Sequence, residues 1–268
     1  MVSALSLAAC GGSPSSLPPP ARSPAATPAE SSSAAGTGSI PTNPTESAVA
    51  STLVPTVPAV RAVPAASPLG QSLPLNLPTY AATQVITVVA TSASATVATL
   101  QAWDKAPGGA WTARGPSITA HLGSAGLSAH PSESVSATPL GSFSLTRAFG
   151  ADANPGSGLP YHQTTPADWW ISQPGALYNT MQTCESSCPF TQGDPNEHLY
   201  YETPFYNYAV VINYNTAPVV AGAGSAFFLH VTDGTPTAGC VSIPQTNLLT
   251  IMKWLSGSAQ PRILIGLR

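Results

Sequence analysis

His230 closes the apolar run Ser225-Ala226-Phe227-Phe228-Leu229-His230, and Cys240 follows Thr237-Ala238-Gly239 ten positions later. A thiol attacks as thiolate, and a free one near pKa ~8.5 becomes useful when an imidazole stands by to take its proton. The residues between them include Thr232-Asp233-Gly234-Thr235-Pro236, which is turn chemistry, so a reversal here brings Thr237 to Cys240 back alongside His230. Gly239 permits a backbone shape, or a close substrate approach, that a side chain would obstruct. The amides of Gly239 and Cys240 are then candidate donors to an oxyanion, the charge that acyl transfer must stabilise. Taken singly, each residue has a plainer reading: a strand-end histidine satisfied by a carbonyl, and a buried inert thiol. Together with Gly239 and the turn they point to nucleophilic catalysis, with Cys240, His230 and Gly239 as catalytic residues.

Strands must position this pair. Tyr208-Ala209-Val210-Val211-Ile212-Asn213-Tyr214 and the run ending at His230 are apolar and bounded by Asn, Gly and Pro, as central strands buried on both faces are. Gln84 to Ala90 and Ala95 to Trp103 are predicted to pair, and further strands are expected around Trp111, over 118–122 and over 143–145, so the domain opens as an antiparallel meander. Residues 154–202 are rich in Gly, Pro and Asn and form an irregular excursion, a feature that is usually functional. Thr246 to Leu255 is the one predicted helix, with Pro244 and Thr246 as start signals and Gly257 as a stop. A strand over 262–266 closes a mainly β domain with one C-terminal helix.

With both runs placed, the sequence resembles the L,D-transpeptidases, or YkuD-like domains, of bacterial cell walls. Their catalytic stretch is a strand ending in His, a loop, then Ser/Thr-His-Gly-Cys and an apolar residue; His230, Thr237, Gly239, Cys240 and Val241 match it. Thr138-Pro139-Leu140-Gly141-Ser142-Phe143 resembles the Thr-Pro-x-Gly-x-Phe/Tyr run those domains carry upstream. The resemblance covers residues 80–268 and is closest to an actinobacterial-type branch of secreted proteins. Ala238 stands where the family has a histidine, and the interval from His230 to Cys240 is shorter than usual. The resemblance implies a β-sandwich-like fold and a two-step reaction on peptidoglycan stem peptides. Cys240 would attack the carbonyl between an L-centre and a terminal D-residue, hold a thioester, and pass the acyl group to an amine, or to water as a carboxypeptidase. It further implies carbapenem inhibition, contacts to substrate from Thr237 and Ser242, and no metal or organic cofactor. Two rivals stay open: an envelope-binding module without turnover, and a cysteine peptidase of another wall-hydrolase class.

The remaining cysteines fit an oxidising compartment. Cys184 and Cys188 are spaced as a metal fragment could be, but no second pair at ligand spacing accompanies them, so a short disulfide is expected. Leu7-Ala8-Ala9-Cys10 resembles a bacterial lipoprotein box, with Cys10 as the lipidation site; no Lys or Arg precedes it, so translation is expected to start further upstream. Aromatic residues crowd the excursion and the segment after it. Most are expected to form a satellite core under the loop, with Tyr161 and Trp170 as candidate substrate contacts. His121, His130 and His198 have no partner in the sequence.

Composition bounds the function. Only 7% of residues are charged, the net charge is −3 and no basic run occurs, which argues against nucleic acid as a partner. No apolar stretch approaches the ~20 residues that span a bilayer. Residues 1–10 read as the end of a lipoprotein signal, residues 11–79 as a disordered Pro/Ala/Ser tether, and residues 80–268 as the folded domain. The expected protein is a monomer outside the cytoplasm, in the cell wall or envelope, secreted or held to the outer leaflet of the plasma membrane by lipid alone.

Overall fold

The computed structural model describes residues 71–268. The expected lipidation site Cys10 and the spacer up to residue 70 lie outside the described residues. The strands are β1 (Gln84–Ala90), β2 (Val97–Lys105), β3 (Trp111–His121), β4 (Leu127–Ser128), β5 (Thr138–Pro139), β6 (Gly141–Gly150), β7 (Tyr161–Gln163), β8 (Asp168–Ile171), β9 (Thr180–Thr183), β10 (Glu197–His198), β11 (Ala209–Ile212), β12 (Phe228–Val231), β13 (Val241–Ile243) and β14 (Arg262–Leu267). Helix α1 (Gln245–Trp254) lies between β13 and β14. The described residues are mainly β with one α-helix near the C-terminus, as the patterning predicts.

The expected meander is present, β1 pairing β2 and β2 pairing β3, both antiparallel. One nine-stranded sheet runs β11-β12-β13-β3-β2-β1-β14-β6-β7 and bends until β11 also pairs β6. Its interior holds the largest apolar cluster, including Ile86, Leu100, Leu145, Leu229, Val241 and Ile265. Helix α1 contributes Leu248, Ile251 and Met252 to that interior. Burying each such side chain stabilises the fold by about 1.5–3 kcal/mol relative to exposure.

Ordered packing starts before Tyr80. Gln71 bridges to Trp111, and Leu75 is buried with Trp103, Trp111 and Leu264. The tether boundary at residue 79 is therefore too late by several residues: Leu73, Leu75 and Leu77 alternate with polar or Pro positions and supply the apolar face that the Pro-rich composition concealed.

The excursion is built around a small sheet in the order β10-β8-β9. It packs on the outer face of the large sheet, where Trp170 and Leu199 meet Phe149, Val211 and Phe228. Asp168 anchors it, accepting from the Thr165 and Thr183 hydroxyls and lying 3.0 Å from His162 Nε2. Cys184 and Cys188 form the expected disulfide, with Cα atoms 5.8 Å apart.

Candidate active site

Strands β12 and β13 are parallel neighbours, with Leu229 opposite Val241, His230 opposite Ser242 and Val231 opposite Ile243. Parallel neighbours normally need a long crossover, but these strands have only four and three residues. The nine residues 232–240 are enough to return along so short a ladder. The compact His-to-Cys interval follows from that.

Alternation then sorts the side chains. Leu229, Val231, Val241 and Ile243 enter the interior cluster, so Phe228, His230, Cys240 and Ser242 share the opposite face. His230 and Cys240 are thus diagonal neighbours, offset by about 6.6 Å at ordinary strand rise. Both line one open cleft of about 870 Å³, together with Thr237, Gly239 and Ser242.

Sequence features of the loop explain its shape. The Thr237 hydroxyl donates to the Cys240 carbonyl at 2.7 Å and accepts from the Gly239 N–H at 3.0 Å. Gly239 has φ +141°, and a Cβ there would lie 2.7 Å from the Phe227 ring and 3.1 Å from the Ala137 carbonyl oxygen. The Thr-Pro run sits beneath: Thr138 Oγ1 accepts from the Gly123 N–H at 2.8 Å and donates to the Cys240 carbonyl at 3.5 Å. The two stretches singled out in the sequence therefore meet at the backbone of Cys240.

Two expectations change in detail. The Gly239 amide, expected to face an oxyanion, is engaged by Thr237. The thiol is not hydrogen-bonded to the imidazole either: Cys240 Sγ donates to the Ala226 carbonyl at 3.3 Å and accepts from the Phe228 N–H at 3.3 Å. Burial, with the charge of Glu197, pushes the thiol up to about 12. Burial also pulls His230 down to about 4, although its Nδ1 lies 2.8 Å from the Val231 carbonyl oxygen. At neutral pH the resting pair is a neutral thiol beside a neutral imidazole. Its Nδ1 is held by the carbonyl, which leaves Nε2 to act as base.

Tyr161 is not brought to this cleft. Its hydroxyl donates to the Asp152 carbonyl at 2.7 Å and its ring packs against the interior cluster. Trp170 is not a cleft residue either, because β8 turns it inward; there it meets Phe228 edge-on at 4.9 Å and donates to Asn179 Oδ1 at 3.0 Å. Asn179 Oδ1 also accepts from the Ala226 N–H at 3.2 Å, so this pair braces the backbone that holds the thiol. The adjacent Trp169 faces the cleft instead, stacked on His198 with ring centroids 3.8 Å apart.

Glu197 and Tyr206 were not singled out from sequence. The Tyr206 hydroxyl donates to Glu197 Oε2 at 2.7 Å, and the Tyr206 ring stands edge-on to His230 and to Phe228, each at 5.4 Å. Tyr206 is one of the aromatics of the segment after the excursion; it packs in a buried cluster with Phe149 and Phe228, with its polar end reaching the site. Glu197 had no signal, lying in a Gly/Pro/Asn-rich stretch without periodicity. Comparison with protein-family models, with curated proteins and with solved structures gives no match.

Proposed function

We propose that this chain is a cell-wall acyltransferase that carries a peptidoglycan stem peptide as a thioester on Cys240, with the sandwich-like architecture of L,D-transpeptidases. The observation that carries the reading is the shared face of β12 and β13, which sets His230 and Cys240 diagonally at one open cleft. The convergence of Thr138 and Thr237 on the Cys240 carbonyl supports it, since both runs behind the family resemblance serve one loop. The Cys184–Cys188 bond supports an extracytoplasmic location.

A neutral resting pair assigns the mechanism a definite order. Substrate must displace the Ala226 carbonyl as the thiol's partner, and the thiol proton passes to His230 Nε2 as Sγ attacks the carbonyl carbon. The imidazolium is held through Nδ1 by the Val231 carbonyl, and it returns the proton to the departing amine as the C–N bond breaks. An amine or water then resolves the thioester.

Exposure to a carbapenem, with intact mass and peptide mapping, tests the reading. A stable adduct on Cys240 that is absent from Cys240→Ala is expected. A thiol so buried and so well satisfied by backbone partners favours the second reading, an envelope-binding module without turnover, and absence of any adduct would select it. Incubation with tetrapeptide stems separates out the peptidase alternative, which yields hydrolysis and never dimers.

A further inference from the structure

The Cys184–Cys188 bridge has no part in the chemistry of the cleft. It joins residues four apart in sequence, and a bridge over so short a loop restrains the unfolded chain less than one over a long loop. Its effect on the folded protein is local: it closes the turn that follows β9, in which Ser187 has φ +54°. The turn lies at the surface. Glu185, Ser186 and Ser187 are exposed and both cysteines are half-buried, so a thiolate in solvent can reach the bond.

On its inner side the bridge packs against Trp169, Ile171 and Phe190, a cluster separate from the interior of the large sheet. Phe190 stands 6.1 Å from Trp169 between ring centroids, and Trp169 stacks on His198 in the wall of the cleft. A polar path runs beside this apolar one. Gln192 Nε2 donates to the Glu185 carbonyl at 3.0 Å, inside the bridged loop, and the neighbouring Thr191 carbonyl accepts from Asn196 Nδ2 at 2.7 Å. Asn196 is buried and lines the cleft, where its Oδ1 accepts from the Ser172 N–H at 2.8 Å. Both paths end at the wall formed by Trp169, Ser172, Asn196 and His198, and neither includes a residue of β12 or β13.

We propose that the Cys184–Cys188 bridge is a redox-sensitive brace for this wall. Oxidised, it holds Trp169 and Asn196 where substrate packs; reduced, it lets the wall loosen and weakens the hold on substrate, while the thiol and the imidazole keep their places. The effect on acyl transfer rests on the acyltransferase reading; the coupling of bridge to wall does not. The reductant is a dithiol. One of its thiolates attacks a bridge sulfur, the S–S bond breaks with its electron pair going to the other sulfur, which takes up a proton, and the second thiolate of the reductant then displaces the remaining bridge sulfur from the mixed disulfide. Two electrons and two protons pass to the bridge, leaving Cys184 and Cys188 as thiols and the reductant as a disulfide. Cys240, the free cysteine among the described residues, is buried and already a thiol, so it takes no part.

Full-length protein tests this in its oxidised form and after treatment with dithiothreitol and its removal, with thiol labelling and intact mass reporting the state of the bond. Reduction is expected to lower the second-order rate constant of carbapenem acylation by about fivefold, within the range over which contiguous packing couples sites. It should leave the iodoacetamide profile of Cys240 unmoved, and reoxidation should restore the rate. Cys184→Ser/Cys188→Ser should match the reduced protein and ignore the reductant, and Phe190→Ala should slow the oxidised protein alike. Equal rates in the oxidised and reduced protein, even with a lower melting temperature, would make the bridge a stabiliser only and overturn the inference, as would a double variant that still responds to dithiothreitol. Hydrogen exchange keeps the two ideas apart, since reduction should speed exchange over 168–171 and 196–198 and leave 228–231 unchanged. If exchange responds in this way but the oxidised protein never takes a carbapenem, the brace stands and the acyltransferase reading falls. If exchange of the wall is the same in both redox states, the brace falls whatever Cys240 does.

Discussion

The Phe228 N–H donates to Cys240 Sγ at 3.3 Å across the first step of a parallel ladder, and this contact holds the thiol in place. With the thiol pushed up to about 12 and His230 down to about 4, the expected pH profile lacks the signature of a preformed thiolate–imidazolium pair. Alkylation by iodoacetamide should stay slow at neutral pH and rise only at strongly alkaline pH. On the proposed mechanism carbapenem acylation draws on His230 as base, so it should fall off on the acid side as the imidazole protonates. His230→Gln should lower the acylation rate constant by about 10² to 10⁴ and leave the alkylation profile almost unmoved. Fast alkylation at pH 7 would show that the resting thiol is ionised and would contradict this account.

The same two environments make opposite contributions to stability. His230 binds its proton less readily when folded, so its contribution is intact above pH 6.5 and is lost as pH falls through about 4. Glu197 binds its proton more readily when folded, so its contribution is intact below about 4.5 and is lost as pH rises through about 7. The two windows overlap and their slopes oppose, so melting temperature should stay nearly level between about pH 4.5 and 6.5. His230→Gln should uncover a fall in stability as pH rises from about 4.5 to 7, and Glu197→Gln should uncover a rise as pH goes from about 4 to 6.5. An unchanged profile in both variants would show that neither group carries the linkage.

Much of this arrangement was legible because it depends on local pattern. The run over 208–214 and the run ending at His230 are apolar and bounded by turn residues, and they contain most of β11 and β12; the helix lies within one residue of its expected bounds at each end. The return of Cys240 to the face that carries His230 was readable because the strands are short and the loop between them is turn-forming. Tyr161 and Trp170 were misplaced because an aromatic residue in an irregular segment has no periodicity to say which way it faces; one residue of alternation puts Trp169 in the cleft and Trp170 behind it. Glu197 and Tyr206 come together only through tertiary packing of β10 against the turn before β11. The closure of the sheet through β11 and β6 depends on a pairing about sixty residues apart in sequence, which no local signal encodes.

Gly239→Ala should be costly in both stability and activity. The residue combines φ +141° with a Cβ position in contact with Phe227 and Ala137, so strain of about 1–3 kcal/mol falls on the loop that presents the thiol. Gly234 also has positive φ, +90°, but open space around it, so Gly234→Ala should cost about 1 kcal/mol and leave acylation intact. Chemical denaturation together with carbapenem acylation rates checks the contrast. Equal losses of activity would mean that backbone freedom anywhere in the loop is what matters, and not the fit at Gly239.

Thr138→Val keeps shape and removes one hydroxyl. The Gly123 N–H then loses its acceptor in a buried setting, at a cost of about 1–3 kcal/mol. The Cys240 carbonyl loses one of its two hydroxyl donors, so the loop should present the thiol less rigidly. The expected result is a several-fold fall in kcat with KM little changed. A change confined to KM would assign Thr138 to substrate contact, which its burial beneath the loop argues against.

Ser242→Ala makes a sharper prediction, because the sign of the stability change is informative. Ser242 Oγ is buried on the same face as Cys240, opposite His230, and has no partner within the protein. An unsatisfied buried hydroxyl costs about 1–3 kcal/mol, so replacing it by a methyl group should leave stability unchanged or raise it by about 1 kcal/mol, a rise of about 2–4 °C in melting temperature. If the hydroxyl is kept for substrate, the same variant should be acylated by a carbapenem several-fold more slowly, as loss of one hydrogen bond of about 0.5–1.5 kcal/mol requires. Gain of stability with loss of acylation rate is the signature of a group retained for the site at the expense of the fold. A variant that is destabilised would instead mean that the hydroxyl is satisfied by ordered water and belongs to the scaffold, and the cleft would then have to hold its ligand without it.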